Sequence, residues 1–200
     1  MSPFELVFAV YGLLLGLAIS EVLGGFSRAL KLKRGTRAVR IGWLTPLLGL
    51  LVTLDLSNFW LVAWDAREQI GANYATLVGV LVMVGIYYLA ATLIFPDTPE
   101  EWPDFDDWYD RQHRLVIGGL LTANVTSWIG LGILEAMHPS PEAAAGAVNP
   151  TIDALYLISG FSILGLFIAL MAVKSRRWNV AMLVAICGFL IVSGVVEPYV

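Results

Sequence analysis

The sequence predicts an all-α integral membrane protein: a six-transmembrane-helix bundle with short loops and one acidic, aromatic-rich interfacial cytoplasmic segment. Three observations predict it. Six apolar stretches, each near the roughly 20 residues needed to cross a hydrocarbon core of about 30 Å, take up most of the chain. Of its 200 residues, 58% are hydrophobic and 14% charged, with a mean hydropathy of +0.76; a soluble domain of that length lacks the interior to bury so much apolar surface. Finally, Lys and Arg crowd into alternate connections between the stretches, the bias that sets the orientation of membrane helices.

The spans read Phe4–Phe26, Ile41–Trp64, Ala75–Phe95, Leu115–Met137, Ile152–Val173 and Asn179–Val196. Together they make residues 1–200 a single membrane domain with no room for a separate soluble unit. The first span has no basic residue before it and is too long for a signal-peptide core, so it reads as a retained helix. After it come Arg28, Lys31, Lys33, Arg34, Arg37 and Arg40. Adding Arg111, Arg114, Lys174, Arg176 and Arg177 places eleven of twelve Lys and Arg in the first, third and fifth connections; only Arg67 is elsewhere. The expected topology is multi-pass in a cytoplasmic (inner or plasma) membrane, with both termini on the outer side. Trp43, Trp60, Trp64, Trp178 and Tyr199 sit at span ends, the headgroup level that amphipathic rings favour. Short loops are expected to make successive helices antiparallel neighbours.

The third connection differs from the others. Between Pro96 and Arg114 it carries Asp97, Glu100, Glu101, Asp104, Asp106, Asp107 and Asp110 with Trp102, Phe105, Trp108 and Tyr109. The aromatic spacing predicts a short interfacial helix from about Pro103, its aromatic face in the membrane or against the bundle. Its acidity opposes docking on anionic lipid.

Span 1 carries Gly12, Gly16, Ser20 and Gly24 at intervals of four, a flat ridge against which another helix can pack, within the bundle or across a subunit boundary. Span 4 repeats the spacing with Gly118, Thr122, Thr126 and Gly130, which raises an inverted repeat of three-span halves.

Ionisable residues inside the spans point to function, because a charge at a helix centre costs about 2.5–3.5 kcal/mol on insertion scales. Asp55 lies near the middle of span 2, with Asn58 one turn away and Asn124 of span 4 at similar depth. No Lys, Arg or His shares that depth, so Asp55 is either neutral or balanced by a bound cation. It reads as a proton or cation site, or as hydrogen-bonding glue between helices. Glu21 reads as a partner of Arg28 or Lys31, or as a group at an inner mouth. Glu5, Glu135, Asp153 and Glu197 gather near the outer span ends, where they form an acidic vestibule or merely mark helix termini.

Metal, cofactor and catalytic signatures are missing. Glu135 and His138 make one Glu-x-x-His pair where di-metal bundles use two. His113 is expected on the opposite side of the membrane, which also excludes bis-His haem ligation. The lone Cys187 offers no CxxC motif, and no hydrolase, zinc-protease, P-loop or dinucleotide fingerprint occurs. No enzyme, metal, cofactor or nucleic-acid partner is expected; membrane lipids are, with a homo-oligomer or partner membrane subunits. The function this supports is a small cation- or proton-linked channel or carrier for ion transport. The alternative is a non-transporting membrane subunit, scaffold or sensor that assembles with a partner complex.

Overall fold

A computed structural model describes residues 3–34, 39–71, 73–98, 101–137 and 150–196. The described residues form six α-helices: α1 (Pro3–Arg34), α2 (Leu44–Asp65), α3 (Tyr74–Thr92), α4 (Phe105–Met137), α5 (Pro150–Ala172) and α6 (Arg176–Val196), with a single 3-10 turn at Ala66–Glu68 after α2. Each of the six is long and apolar enough to cross a membrane, and there is no strand among the described residues. This is an all-α, six-helix polytopic membrane protein. The basic end of the bundle is the one where α1 finishes and α2 and α4 begin; the far end is the opposite one.

Two helices overshoot the bilayer, and they do so at the same end. With 32 and 33 residues, α1 and α4 each measure about 50 Å against a hydrocarbon core of about 30 Å. The excess of α1 carries Arg28, Lys31, Lys33 and Arg34 on its last turns, so these cations project from a helix where a loop was expected. The excess of α4 is the acidic, aromatic segment. No separate interfacial helix forms there: the helix that begins at Phe105 continues unbroken to Met137. Its aromatic residues turn into the bundle, with Phe105 and Tyr109 each 1% exposed. The Trp108 indole nitrogen donates to the Leu93 carbonyl at 3.1 Å. Packing against protein satisfies the Trp108 indole, because the backbone at the end of α3 supplies its partner.

That junction also completes the start of α2. Trp43 precedes α2 without a capping side chain, and Asp106 of α4 supplies one instead, accepting from the Leu44 amide at 3.4 Å. The Thr45 hydroxyl donates to the Phe105 carbonyl at 2.9 Å. Arg40 and Phe105 exchange backbone bonds with Pro103 and Arg40, at 2.8 and 2.9 Å. Gly42 makes the turn possible: its φ is +63°, and the Asp106 carboxyl occupies the place where a Cβ would stand. Both facts demand glycine.

Helix order around the bundle is not the chain order. α1 packs along α3, then α3 on α4, α4 on α5, α5 on α6 and α6 on α2; α2 touches α1, α3, α4 and α6 and so lies at the centre. Successive helices run in opposite directions, and α3–α4, α4–α5 and α5–α6 pack as neighbours, but α1 and α2 find their main partners elsewhere, in the parallel α1–α3 and α2–α6 pairs. The halves do not pack alike either. The α1–α3 pair has no counterpart of similar extent between α4 and α6, so the spacing shared by spans 1 and 4 does not extend to an inverted repeat in the packing.

The middle of the small-residue ridge of α1, Gly16 and Ser20, faces away from the bundle, while Gly12 packs inward. Gly16 and Ser20 are exposed, and a Cβ on Gly16 would meet nothing within 4 Å. The packed row is Tyr11, Leu15, Ala18, Val22 and Ala29, whose larger side chains bury more contact against α2 and α3. Close approach occurs at Gly12, under the Trp60 ring, and at Gly25, under the Phe95 ring. Gly24 approaches only Arg28 of its own helix. A four-residue interval marks a smooth row, but it does not say which row turns inward.

Candidate functional site

The central position of α2 brings Asp55 to the middle of the bundle, where it is 2% exposed. Two other helices reach it. From α3, the Tyr87 hydroxyl donates to Asp55 Oδ2 at 2.9 Å. From α4, Asn124 Nδ2 donates to Oδ2 at 3.0 Å and to Oδ1 at 3.3 Å, while also donating to the Leu120 carbonyl at 3.0 Å. Three helices therefore meet on one carboxylate. Hydrogen bonds from neutral donors offset part of the desolvation of a buried acid, but they bring no opposite charge.

Asn58, one turn along α2, faces α6. Its Nδ2 donates to the Leu190 carbonyl at 3.4 Å, and its Oδ1 lies close to Gly194, 2.7 Å from where a Cβ would be. Thr53 and Ser57 take no part in the site, because each hydroxyl bonds the carbonyl four residues back on its own helix, at 2.9 Å.

A cavity of about 320 Å³ opens beside this cluster. Asp55, Asn58, Tyr87 and Asn124 form its polar wall, joined by the hydroxyls of Ser127, Tyr156 and Ser193. Phe59, Trp128, Leu157 and Phe161 form the apolar side, and among the described residues no Lys, Arg or His lines it. A second cavity of about 610 Å³ adjoins it toward the far end, sharing Phe59, Val62, Ser127 and Leu131 as a common wall. The second space is bounded by Tyr11 of α1, by Gln69 and Ile70 after α2, and by the first half of α3. Toward the basic end the bundle is closed: Leu48, Leu51, Ile117, Leu120, Phe167 and Leu183 are each at most 1% exposed.

The structure brings together Asp55, Asn58 and Asn124 around one cavity but leaves Glu21 apart. Glu21 accepts from Arg28 at 3.0 Å, in an ion pair whose side chains are 32% and 44% exposed. Among the proposed vestibule acids, Glu135 accepts from Gln69 at 2.9 Å near the far-end rim, and Glu5 lies exposed on the first turns of α1. The Asp153 side chain, Glu197 and His138, which complete the expected vestibule and the Glu135/His138 pair, lie outside the described residues. Among the described residues no three His, Cys, Asp or Glu side chains gather as metal ligands.

Tyr87 is the site residue that sequence reasoning undervalues. Tyr87 and Tyr88 are adjacent in an otherwise apolar span, and only packing tells the buried one (1% exposed) from the outward one (39% exposed). The rings of Trp128, Tyr156 and Phe161 are equally hidden in the sequence, because aromatic residues in a span ordinarily face lipid or fill a core. Comparison with protein families, with curated proteins and with solved structures yields no match to this chain.

Proposed function

We propose that this protein is a proton- or cation-linked carrier in which the Asp55 carboxylate loads and unloads a positive charge. One observation carries the reading: a carboxylate 2% exposed in the middle of a membrane bundle forms part of a cavity wall. Without a basic group lining that space, the carboxylate holds one positive partner at a time, a proton or a cation, since a bare charge in low dielectric costs several kcal/mol. Tyr87 and Asn124 suit both states. Each donates to the ionised form, and the Tyr87 oxygen can accept from the acid form. The apolar block below Asp55 favours a carrier over an open channel, because a carrier must close one side while the other is open. Ser127 and Ser193 line the cavity without a histidine beside them, which favours transport over catalysis. The Lys/Arg bias supports placing the basic end in the cytoplasm and both termini outside. The exposed Gly16/Ser20 stripe supports assembly as a homo-oligomer or with partner subunits.

The test is ion flux in reconstituted liposomes under proton and alkali-cation gradients, comparing the native chain with Asp55→Asn. The variant keeps the size and most of the hydrogen-bonding capacity of the side chain but cannot titrate. Flux in the native chain that is lost in a folded Asp55→Asn supports the carrier. No flux in the native chain, or equal flux with the same pH dependence in both, defeats it. A second reading has its own support: Tyr87 and Asn124 tie α3 and α4 to α2 through Asp55, as packing glue in a non-transporting subunit would. On that reading Asp55→Leu lowers the detergent melting temperature, and no condition produces flux.

A further inference from the structure

We propose that the Asp55 cavity binds an organic cation with a ring-sized apolar body, admitted sideways from the lipid between α4 and α5. The proposal rests on Asp55 being a working carboxylate, and it names what that carboxylate holds. A proton or a bare alkali ion needs no space of about 320 Å³, a volume in the range of small-molecule pockets.

The cavity wall is graded in the sense an amphiphilic cation requires. Its one formal charge among the described residues, Asp55, lies on the inner side with Asn58 and Asn124. Five aromatic rings line the rest: Phe59, Tyr87, Trp128, Tyr156 and Phe161. A carboxylate beside several ring faces is the arrangement that attracts ammonium groups, since each ring presents a negative face to the cation and no ring competes for protons. An anion would meet like charge, and a neutral apolar guest would leave Asp55 without a positive partner.

The outer side gives the route. Trp128, Leu157 and Phe161 line the cavity and are also 42%, 58% and 64% exposed on the outer surface of α4 and α5. That surface belongs to spans, so it faces lipid. The Trp128 indole lies over Gly160, 3.2 Å from where a Cβ would stand, and meets Phe161 edge-on at 5.9 Å between centroids. The Trp128 indole, resting on Gly160 with the Phe161 ring at its edge, forms a closure whose opening requires side-chain rotation alone.

Binding at a protonated Asp55 exchanges one positive charge for another: the carboxylic acid loses its proton to solvent as the ion pair with the cation forms. Among the described residues, the other titratable groups on the cavity wall are Tyr87 of α3 and Tyr156 of α5, with no basic group. From α1, Tyr11 lies across Phe59 and donates to its carbonyl at 2.9 Å. Neither α4 nor α6 adds a titratable group to the wall, since Cys187 of α6 is buried outside it.

The experiment is calorimetric titration of the purified chain in lipid nanodiscs with benzyltrimethylammonium, whose charge is permanent. Its neutral isostere, neopentylbenzene, serves as the control. The native chain is expected to prefer the cation by about tenfold or more at about pH 8 and, as falling pH protonates Asp55, to lose affinity while releasing protons on binding, read by comparing two buffers. Asp55→Asn is expected to abolish the preference. If Asp55→Asn does not fold, Val62→Trp serves instead, because it places an indole between the two cavities without touching Asp55, and binding is expected to vanish. Equal affinity for the isostere, no binding of the cation, or undiminished binding in either folded variant overturns the proposal. Cation binding without liposome flux defeats the carrier and keeps the ligand assignment; proton flux without cation binding does the reverse.

Discussion

The two halves of the bundle are built on different terms. On α2 the fully buried residues run from Leu44 to Leu56, on α4 from Phe105 to Ala123, and on α3 from Val84 to Ala91. Beyond them toward the far end these helices bury none of their described side chains fully, and the two cavities occupy that space. The basic-end half is also tied across the chain by Asp106 at the start of α2, by the Arg40–Phe105 backbone pair, and by Arg176, which bonds Asp107 and Asp110. The contrast teaches that one half supplies rigidity and the other supplies room. Asp55 sits on the boundary, where packed neighbours fix its geometry on one side and open space reaches it on the other. A site so placed is held in position by its floor while its cover remains free to move.

The sharpest way to break that comparison uses two leucines on one helix. Leu120 is completely buried in the packed half, whereas Leu131 lines both cavities. Leu120→Ala is expected to cost about 2–5 kcal/mol in reversible unfolding, because its contacts are lost and the packed surroundings refill only part of the gap. Leu131→Ala is expected to cost less than about 1 kcal/mol, since it borders existing space. Equal costs would erase the distinction between the halves.

The clasp at the basic end comes next. Gly42→Ala forces a side chain onto a left-handed residue and into the Asp106 carboxyl, with an expected cost of about 2–3 kcal/mol. Melting in detergent measures it. Asp106→Ala in the same background tests the cause: if the clash with the Asp106 side chain is what matters, the two losses are less than additive.

The smallest expected effect is on the outward ridge of α1. Gly16→Leu meets no atom of the chain, so the melting temperature of the isolated protomer should change by no more than about 0.5 kcal/mol equivalent. Size-exclusion with light scattering reads the other possibility. An oligomer that dissociates on this change makes the stripe a subunit boundary; an unchanged size leaves it facing lipid.

Membrane class, number of spans and their approximate limits are legible in the sequence, because the thickness of a bilayer imposes the length and apolar character of each helix independently of what packs beside it. Asp55, Asn58 and Asn124 are legible for the same reason: polar atoms at mid-membrane depth stand out against the cost of placing them there. Depth is a coordinate along the chain, and sequence reports it well. Which face of a helix turns inward is a coordinate around the chain, and packing alone sets it. That is why the spacing of the Gly16/Ser20 ridge suggests a close contact that it does not make within the chain, and why Tyr87 and Tyr88 look alike until the helices are packed. It is also why the segment before Arg114 reads as a separate helix. Its acidity and aromatic spacing are plain in the sequence, but only the start of α2, with its uncapped amides and its left-handed Gly42, shows what Asp106 and Phe105 are there to meet. The cavity belongs wholly to the tertiary structure, since it is the space that six helices leave between them where their side chains do not fill it.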